Sequence, residues 1–300
     1  MILTHVDHTM SQLLKADRPL IMGVLNVTPD SFSDGGRFGR GQEIDHSGAI
    51  AEAMLLHARG ATIVDIGGEA GSFHRRGIEP VDADRQLHRI LPVIEGIYGA
   101  GQPHRPVISV DTRLSKVARA ALQAGADMVN DISAGEFDPD ILGVAAEFGS
   151  PIVLMHMQRE TPDQPSRDHP DICSHVFDYL IERAQTAMKA GIQADRIILD
   201  PGIGFGKTDA DNWKLLAGID RLVARKFPVL LGVSRKRFLA GLLPPHAATT
   251  DIQASGWSAR DTVTALTTLL TAQRGVRIHR VHDVALAACA LAALAAVRNP

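Results

Sequence analysis

Short apolar runs recur along this chain, each closing on polar residues or glycine and each followed by apolar positions at helical spacing. Residues 20–25 (LIMGVL) stop at Asn26 and open into a long loop. Helical spacing follows over residues 47–59, ended by Gly60. The unit then repeats. Strands are predicted over residues 61–66, 106–110, 127–129, 152–155, 197–199, 228–233 and 276–278. Helices are predicted over residues 84–97, 115–124, 139–148, 172–190, 211–225 and 259–273, with an alanine-rich one from 284 to 297. Eight strands alternating with eight helices is the rhythm of a single (β/α)8 TIM barrel, over residues 19–300 behind a polar leader at 1–18. A doubly wound open sheet fits less well, because no G-x-G-x-x-G follows the first strand.

In such a barrel the chemistry sits at the carboxyl ends of the strands. This chain puts Asn26, Asp65, Asp111, Asn130, His156, Asp200, Lys236, Arg280 and His282 there. Asp111, Asn130 and Asp200, with Lys236, suit a flat heterocycle that offers paired donors on one edge and a carbonyl on the other. The two aspartates are also readable as ion pairs or helix caps. Asn26, Arg280 and His282 come from the first and last strands, which are neighbours in a closed barrel. An arginine there suits a phosphate or diphosphate, and an Asn carbonyl oxygen is a workable Mg²⁺ ligand. His282 with Asp283 also fits a helix cap. Ser234 and Arg235 could take up a carboxylate. Phe205, on the loop Gly202-Ile203-Gly204-Phe205-Gly206-Lys207, either stacks on an aromatic substrate or packs the loop.

Composition narrows the partners. A net charge of −3 without long basic runs argues against nucleic acid. Two cysteines are too few for a disulfide framework and fit a reducing, cytoplasmic compartment. The longest apolar stretch, residues 284–297, is short of the roughly 20 residues a membrane span needs. Small-molecule ligands are therefore expected.

Eight motifs carry a resemblance that spans residues 21–297: GVLNVTPDSFSDGG at 23–36, VDIGGE at 64–69, SVDT at 109–112, VNDIS at 129–133, LMHMQ at 154–158, LDPGIGFGK at 199–207, GVSRKRF at 232–238 and RVHD at 280–283. In these the chain resembles the dihydropteroate synthases. The resemblance implies a folate-pathway transferase, a sulfonamide target, that joins 6-hydroxymethyl-7,8-dihydropterin diphosphate to 4-aminobenzoate. It further implies Mg²⁺ on the diphosphate and a homodimer. Carried over by motif, the pterin falls to Asp111, Asn130, Met155, Asp200 and Lys236, with Asp111, Asp200 and Lys236 catalytic. The diphosphate falls to Asn26, Arg280 and His282, with the metal at Asn26, and the aminobenzoate to Phe205, Ser234 and Arg235. One departure stands out. After GGE the family has Ser-Thr-Arg-Pro-Gly, whereas this chain has AGSFHRRG at 70–77. That change leaves open a paralogue that binds pterin with altered specificity or without catalysis. A corrinoid methyltransferase pterin domain would leave GVSRKRF and RVHD without a use, and a metal-dependent hydrolase barrel would need a His-x-His pair on strand one.

Overall fold

Alternation along the strands splits the apolar residues into two separate cores, as a barrel requires. The computed structural model describes residues 12–14, 18–28, 39–40, 43–69, 80–101, 105–158, 169–242 and 258–298. Its barrel strands are β1 (Leu20–Asn26), β2 (Ile63–Gly67), β3 (Val107–Asp111), β4 (Met128–Asp131), β5 (Ile152–Met155), β6 (Ile197–Asp200), β7 (Leu230–Leu231) and β8 (Ile278–Val281). All pair in parallel in chain order, β8 returning to β1, and a bridge between Leu199 and Val229 joins β6 to β7. Leu20, Met22, Ile63, Val107, Met128, Val153, Ile198, Leu230 and Ile278 fill the barrel interior. Their alternate neighbours, such as Ile21, Val64, Ile108, Val129 and Leu199, belong to the outer core. Leu14, predicted as leader, is buried against the interior set and helps close the barrel floor.

The outer core is completed by α1 (His46–Ala58), α2 (Ala83–Gly99), α3 (Ser115–Gln123), α4 (Asp140–Phe148), α5 (Ile172–Lys189), α6 (Asp209–Ala217), α7 (Ile219–Val223), α8 (Ala259–Gln273) and α9 (Val284–Arg298). Side-chain caps set several starts: Asp45, Asp82, Asp171 and Thr208 each accept a first-turn backbone N–H. Three expectations need correction. The strand predicted over 276–278 begins at Ile278 and runs to Val281. The helix predicted over 211–225 is two helices, broken at Gly218. The strand predicted over 228–233 shrinks to Leu230–Leu231, because Pro228 has no N–H for the ladder and the chain turns at Val233, whose carbonyl accepts the Lys236 N–H. A two-residue hairpin, Gly39–Arg40 against Glu43–Ile44, lies between β1 and α1. Among the described residues, no helix is long and apolar enough to cross a membrane.

Candidate active site

Moving two residues toward the carboxyl end from each interior apolar position keeps the inward face and changes its chemistry. Ile63 leads to Asp65, Val107 to Ser109, Met128 to Asn130, Val153 to Met155, Ile198 to Asp200 and Ile278 to Arg280. A further step reaches Gly67, Asp111 and His282, and on β1 Met22 leads by the same rule to Asn26. The polar residues therefore stack above an apolar floor at the carboxyl end of the barrel.

Hydrogen bonds join them. The Asp65 carboxylate is fully buried and accepts from Ser109 Oγ at 2.6 Å, Asn130 Nδ2 at 2.9 Å and Arg280 Nε at 2.7 Å. Arg280 Nη2 donates to Asp111 Oδ2 at 2.9 Å, so one guanidinium bridges two carboxylates. Burial, then the charge of Asp65, push the Asp111 carboxyl up to about 7, outweighing the pull of Arg280. Asp200 accepts the Gly202 N–H at 2.7 Å, and burial raises it to about 6 against that bond and the charge of Lys236. Both aspartates thus titrate close to neutral pH. His282 is the opposite case. Burial, followed by the charges of Arg235, Arg280 and Lys236, lowers it to about 3, so it is a neutral imidazole. Its backbone N–H donates to Ser234 Oγ at 3.1 Å, and its Nδ1 lies 2.8 Å from the same hydroxyl. Positive charge at this end of the barrel comes from Arg280, Arg235 and Lys236, not from His282.

Other predicted residues keep their place but meet different partners. Arg235 has a left-handed backbone, φ 59°, and its guanidinium is held by Asp261 of α8 at 2.8 and 3.1 Å. The Lys236 ammonium lies over the Phe205 ring. Two glycines of the β6 loop admit the neighbouring loop: a Cβ on Gly202 would overlap the His156 carbonyl oxygen, and one on Gly206 the Gln158 carbonyl oxygen. Lys207 donates to the carbonyls of Gly202 (2.8 Å), His156 (3.2 Å) and Phe205 (3.2 Å), and so knits the two loops together beneath the surface. His156 also leaves the list of candidates. It turns outward under α5, its ring edge-on to Tyr179 and to His175.

Sequence reasoning placed Asp65 at a strand tip and gave it no role, and it passed over Ser109. The signal was the strict alternation from Ile63 and from Val107, which puts both inside the barrel. At the second loop, Glu69 accepts the Val81 N–H at 2.7 Å and faces the Arg113 guanidinium at 3.3 Å, fixing both ends of the segment between them. The atypical stretch 70–77 itself lies outside the described residues, as does most of the loop after β1.

For Mg²⁺, no cluster of three acidic, histidine or cysteine side chains able to hold a metal occurs among the described residues. Asn26 Oδ1 and Asp111 Cβ flank the space that a Cβ on Gly67 would fill, at 3.7 and 3.5 Å from that point. A single amide oxygen fits a cation that arrives on a substrate phosphate and keeps its waters, not one caged by protein.

With the geometry in view, the relatives are informative. The family model described as pterin binding enzyme matches residues 22–282. Dihydropteroate synthase of Streptococcus pyogenes is 43% identical over 74% of this chain and 77% of its own length. That of Mycobacterium leprae is 39% identical over 85% of both. Among solved structures, the Xanthomonas albilineans dihydropteroate synthase with 4-aminobenzoic acid superposes with a TM-score of 0.78 at 39% identity, covering 95% of this chain and 94% of that one. The same enzyme in complex with 7,8-dihydropteroate gives 0.77. A shared barrel alone would leave function open, but here the matched span holds every polar residue on the inward face, and the chain belongs to the pterin-binding enzyme family.

Proposed function

We propose that this barrel is a dihydropteroate synthase, a transferase of folate synthesis. The bond between the dihydropterin methylene carbon and its diphosphate breaks, a carbon–nitrogen bond forms to the amine of 4-aminobenzoate, and pyrophosphate and one proton leave. The observation that carries the reading is the Arg280 guanidinium bridging Asp65 and Asp111 on the inward face. It sets a fixed cation for a leaving anion beside a carboxyl group that titrates near neutrality.

Asp111, Asn130, Asp200 and Lys236 hold the pterin, with Met155 beneath it. Asp200, buried, and Asp111, partly buried, are acceptors whose charge favours positive character on the ring as the diphosphate departs. Arg280 and His282 take the diphosphate, Arg280 as a cation and His282 as a neutral hydrogen-bonding group. Asn26 would hold Mg²⁺ on that diphosphate, and the ion would neutralise charge on the leaving group. Phe205, Ser234 and the backbone at Arg235 meet the aminobenzoate, with the Arg235 side chain braced by Asp261. Sulfonamides, which present a similar aryl amine, would compete there. The protein is read as a cytoplasmic homodimer.

Purified protein given both substrates and Mg²⁺ should release pyrophosphate and form dihydropteroate. Measurable dihydropterin binding without pyrophosphate release would replace the synthase reading with that of a pterin-binding paralogue.

A further inference from the structure

The site residues were assigned by what they offer a ligand, but the carboxylate that receives most of the hydrogen bonds offers a ligand nothing. Asp65 is 0% exposed, lies one inward position below the mouth, and has both oxygens engaged from within the barrel. Resting on the synthase reading, we infer that Asp65 is a positioning residue, fixing the Arg280 guanidinium and the Asn130 amide in the orientation that the diphosphate-bearing substrate meets.

Arg280 is long and would otherwise sample many rotamers above the floor. Its Nε is committed to Asp65 and its Nη2 to Asp111, which leaves Nη1 as the guanidinium nitrogen without a partner among the described residues. Two carboxylates on one guanidinium hold its plane as well as its position. Asn130 is fixed by the same oxygen: with Nδ2 donating to Asp65 Oδ2, its carbonyl oxygen is the end left for the ring, so the residue presents an acceptor. Ser109 completes the arrangement by occupying Oδ1, so that the carboxylate cannot rotate without losing a 2.6 Å bond. Asp65 reaches neither ring nor diphosphate and acts through these neighbours.

The test is a double-mutant cycle, read by calorimetric binding of two probes, inorganic pyrophosphate with Mg²⁺ and 6-hydroxymethyl-7,8-dihydropterin. Asp65→Asn keeps the volume and removes the charge. It should weaken pyrophosphate binding tenfold or more, as should Arg280→Ala, while the double variant binds no worse than Arg280→Ala within twofold. Losses that multiply would overturn the proposal, since each residue would then act alone. In the steady state, Asp65→Asn should raise KM for the dihydropterin diphosphate and leave KM for 4-aminobenzoate within twofold. A general loosening of the barrel would raise both, and that result would also count against it. Should Asp65→Asn fail to fold, a crystal structure of the unaltered protein with pyrophosphate decides: Arg280 Nε stays on Asp65, or it swings away to the ligand and the idea falls. Absence of pyrophosphate release by the unaltered protein would sink the synthase reading only, because the coupling between Asp65 and Arg280 is read through binding.

Discussion

The Lys236 ammonium lies 3.9 Å from the centre of the Phe205 ring, so the aromatic face on the β6 loop carries a cation from the loop after β7. The approach depends on Gly204, where a Cβ would stand 3.0 Å from Lys236 Cδ. A contact of this kind contributes roughly 0.5–2 kcal/mol and holds a flexible side chain in place. An aromatic amine entering beside Phe205 would meet a surface already polarised by Lys236. Phe205→Leu should therefore raise KM for 4-aminobenzoate about three- to tenfold and, by freeing the Lys236 side chain, weaken dihydropterin binding by a smaller factor. Steady-state kinetics with each substrate varied in turn would check this, and an unchanged aminobenzoate KM would remove Phe205 from that subsite.

Lys207 belongs to the architecture beneath the same loop. Three carbonyls from two loops converge on its ammonium, and burial lowers it to about 7 although Asp200 opposes the shift. Lys207→Met leaves those acceptors without their shared donor in a buried place. It should cost about 2–4 kcal/mol of stability, visible as a lower denaturant midpoint with an unchanged slope. A midpoint equal to that of the unaltered protein would mean the carbonyls find water instead.

Most of the barrel could be read from the chain because eight apolar runs separated by helical spacing admit few arrangements. The polar inner positions were harder. Asp111 and Asp200 end their strands, Asn130 stands one residue short of its strand's end, and all three announce themselves. Asp65 lies within β2, two residues short of its end at Gly67, and its role emerges only when β3, β4 and β8 bring Ser109, Asn130 and Arg280 around it. His156 misled for the converse reason. Local sequence says which residue follows a strand but not whether its side chain turns to the mouth, to a neighbouring loop or to a covering helix. The break at Gly218 is of the same kind: the apolar spacing continues through it, and the turn is set by packing, with Cys173 of α5 against that glycine.

His279 offers a pH test away from the site. It is buried on the outer side of β8, its Nε2 has no partner among the described residues, and burial lowers it to about 4. Between there and the ordinary histidine value the unfolded chain binds a proton that the folded chain refuses, so stability falls as pH drops through that window. Asp111, Asp131 and Asp200 run the other way, since burial raises each of them and the folded state keeps their protons. The unaltered protein mixes both signs, so the informative quantity is a difference. His279→Leu should lose less stability than the unaltered protein between about pH 7 and pH 4.5. Parallel stability curves for the two would show that His279 is protonated in the fold.

The homodimer proposed above would have a physical candidate for its contact. On α8, Leu266 and Leu270 are one helical turn apart and 58% and 57% exposed, while α8 packs along α9, whose Val297 is 78% exposed. Large apolar side chains one turn apart on an exposed helix face are costly to leave in water and mark interaction surfaces. Because they lie outside both cores, charge can be placed there without disturbing the barrel. Leu266→Glu with Leu270→Glu should halve the mass measured by light scattering after size exclusion and leave the circular dichroism spectrum unchanged. A double variant that keeps the dimer mass would put the contact on another face, and an unaltered protein that is already monomeric would end the proposal.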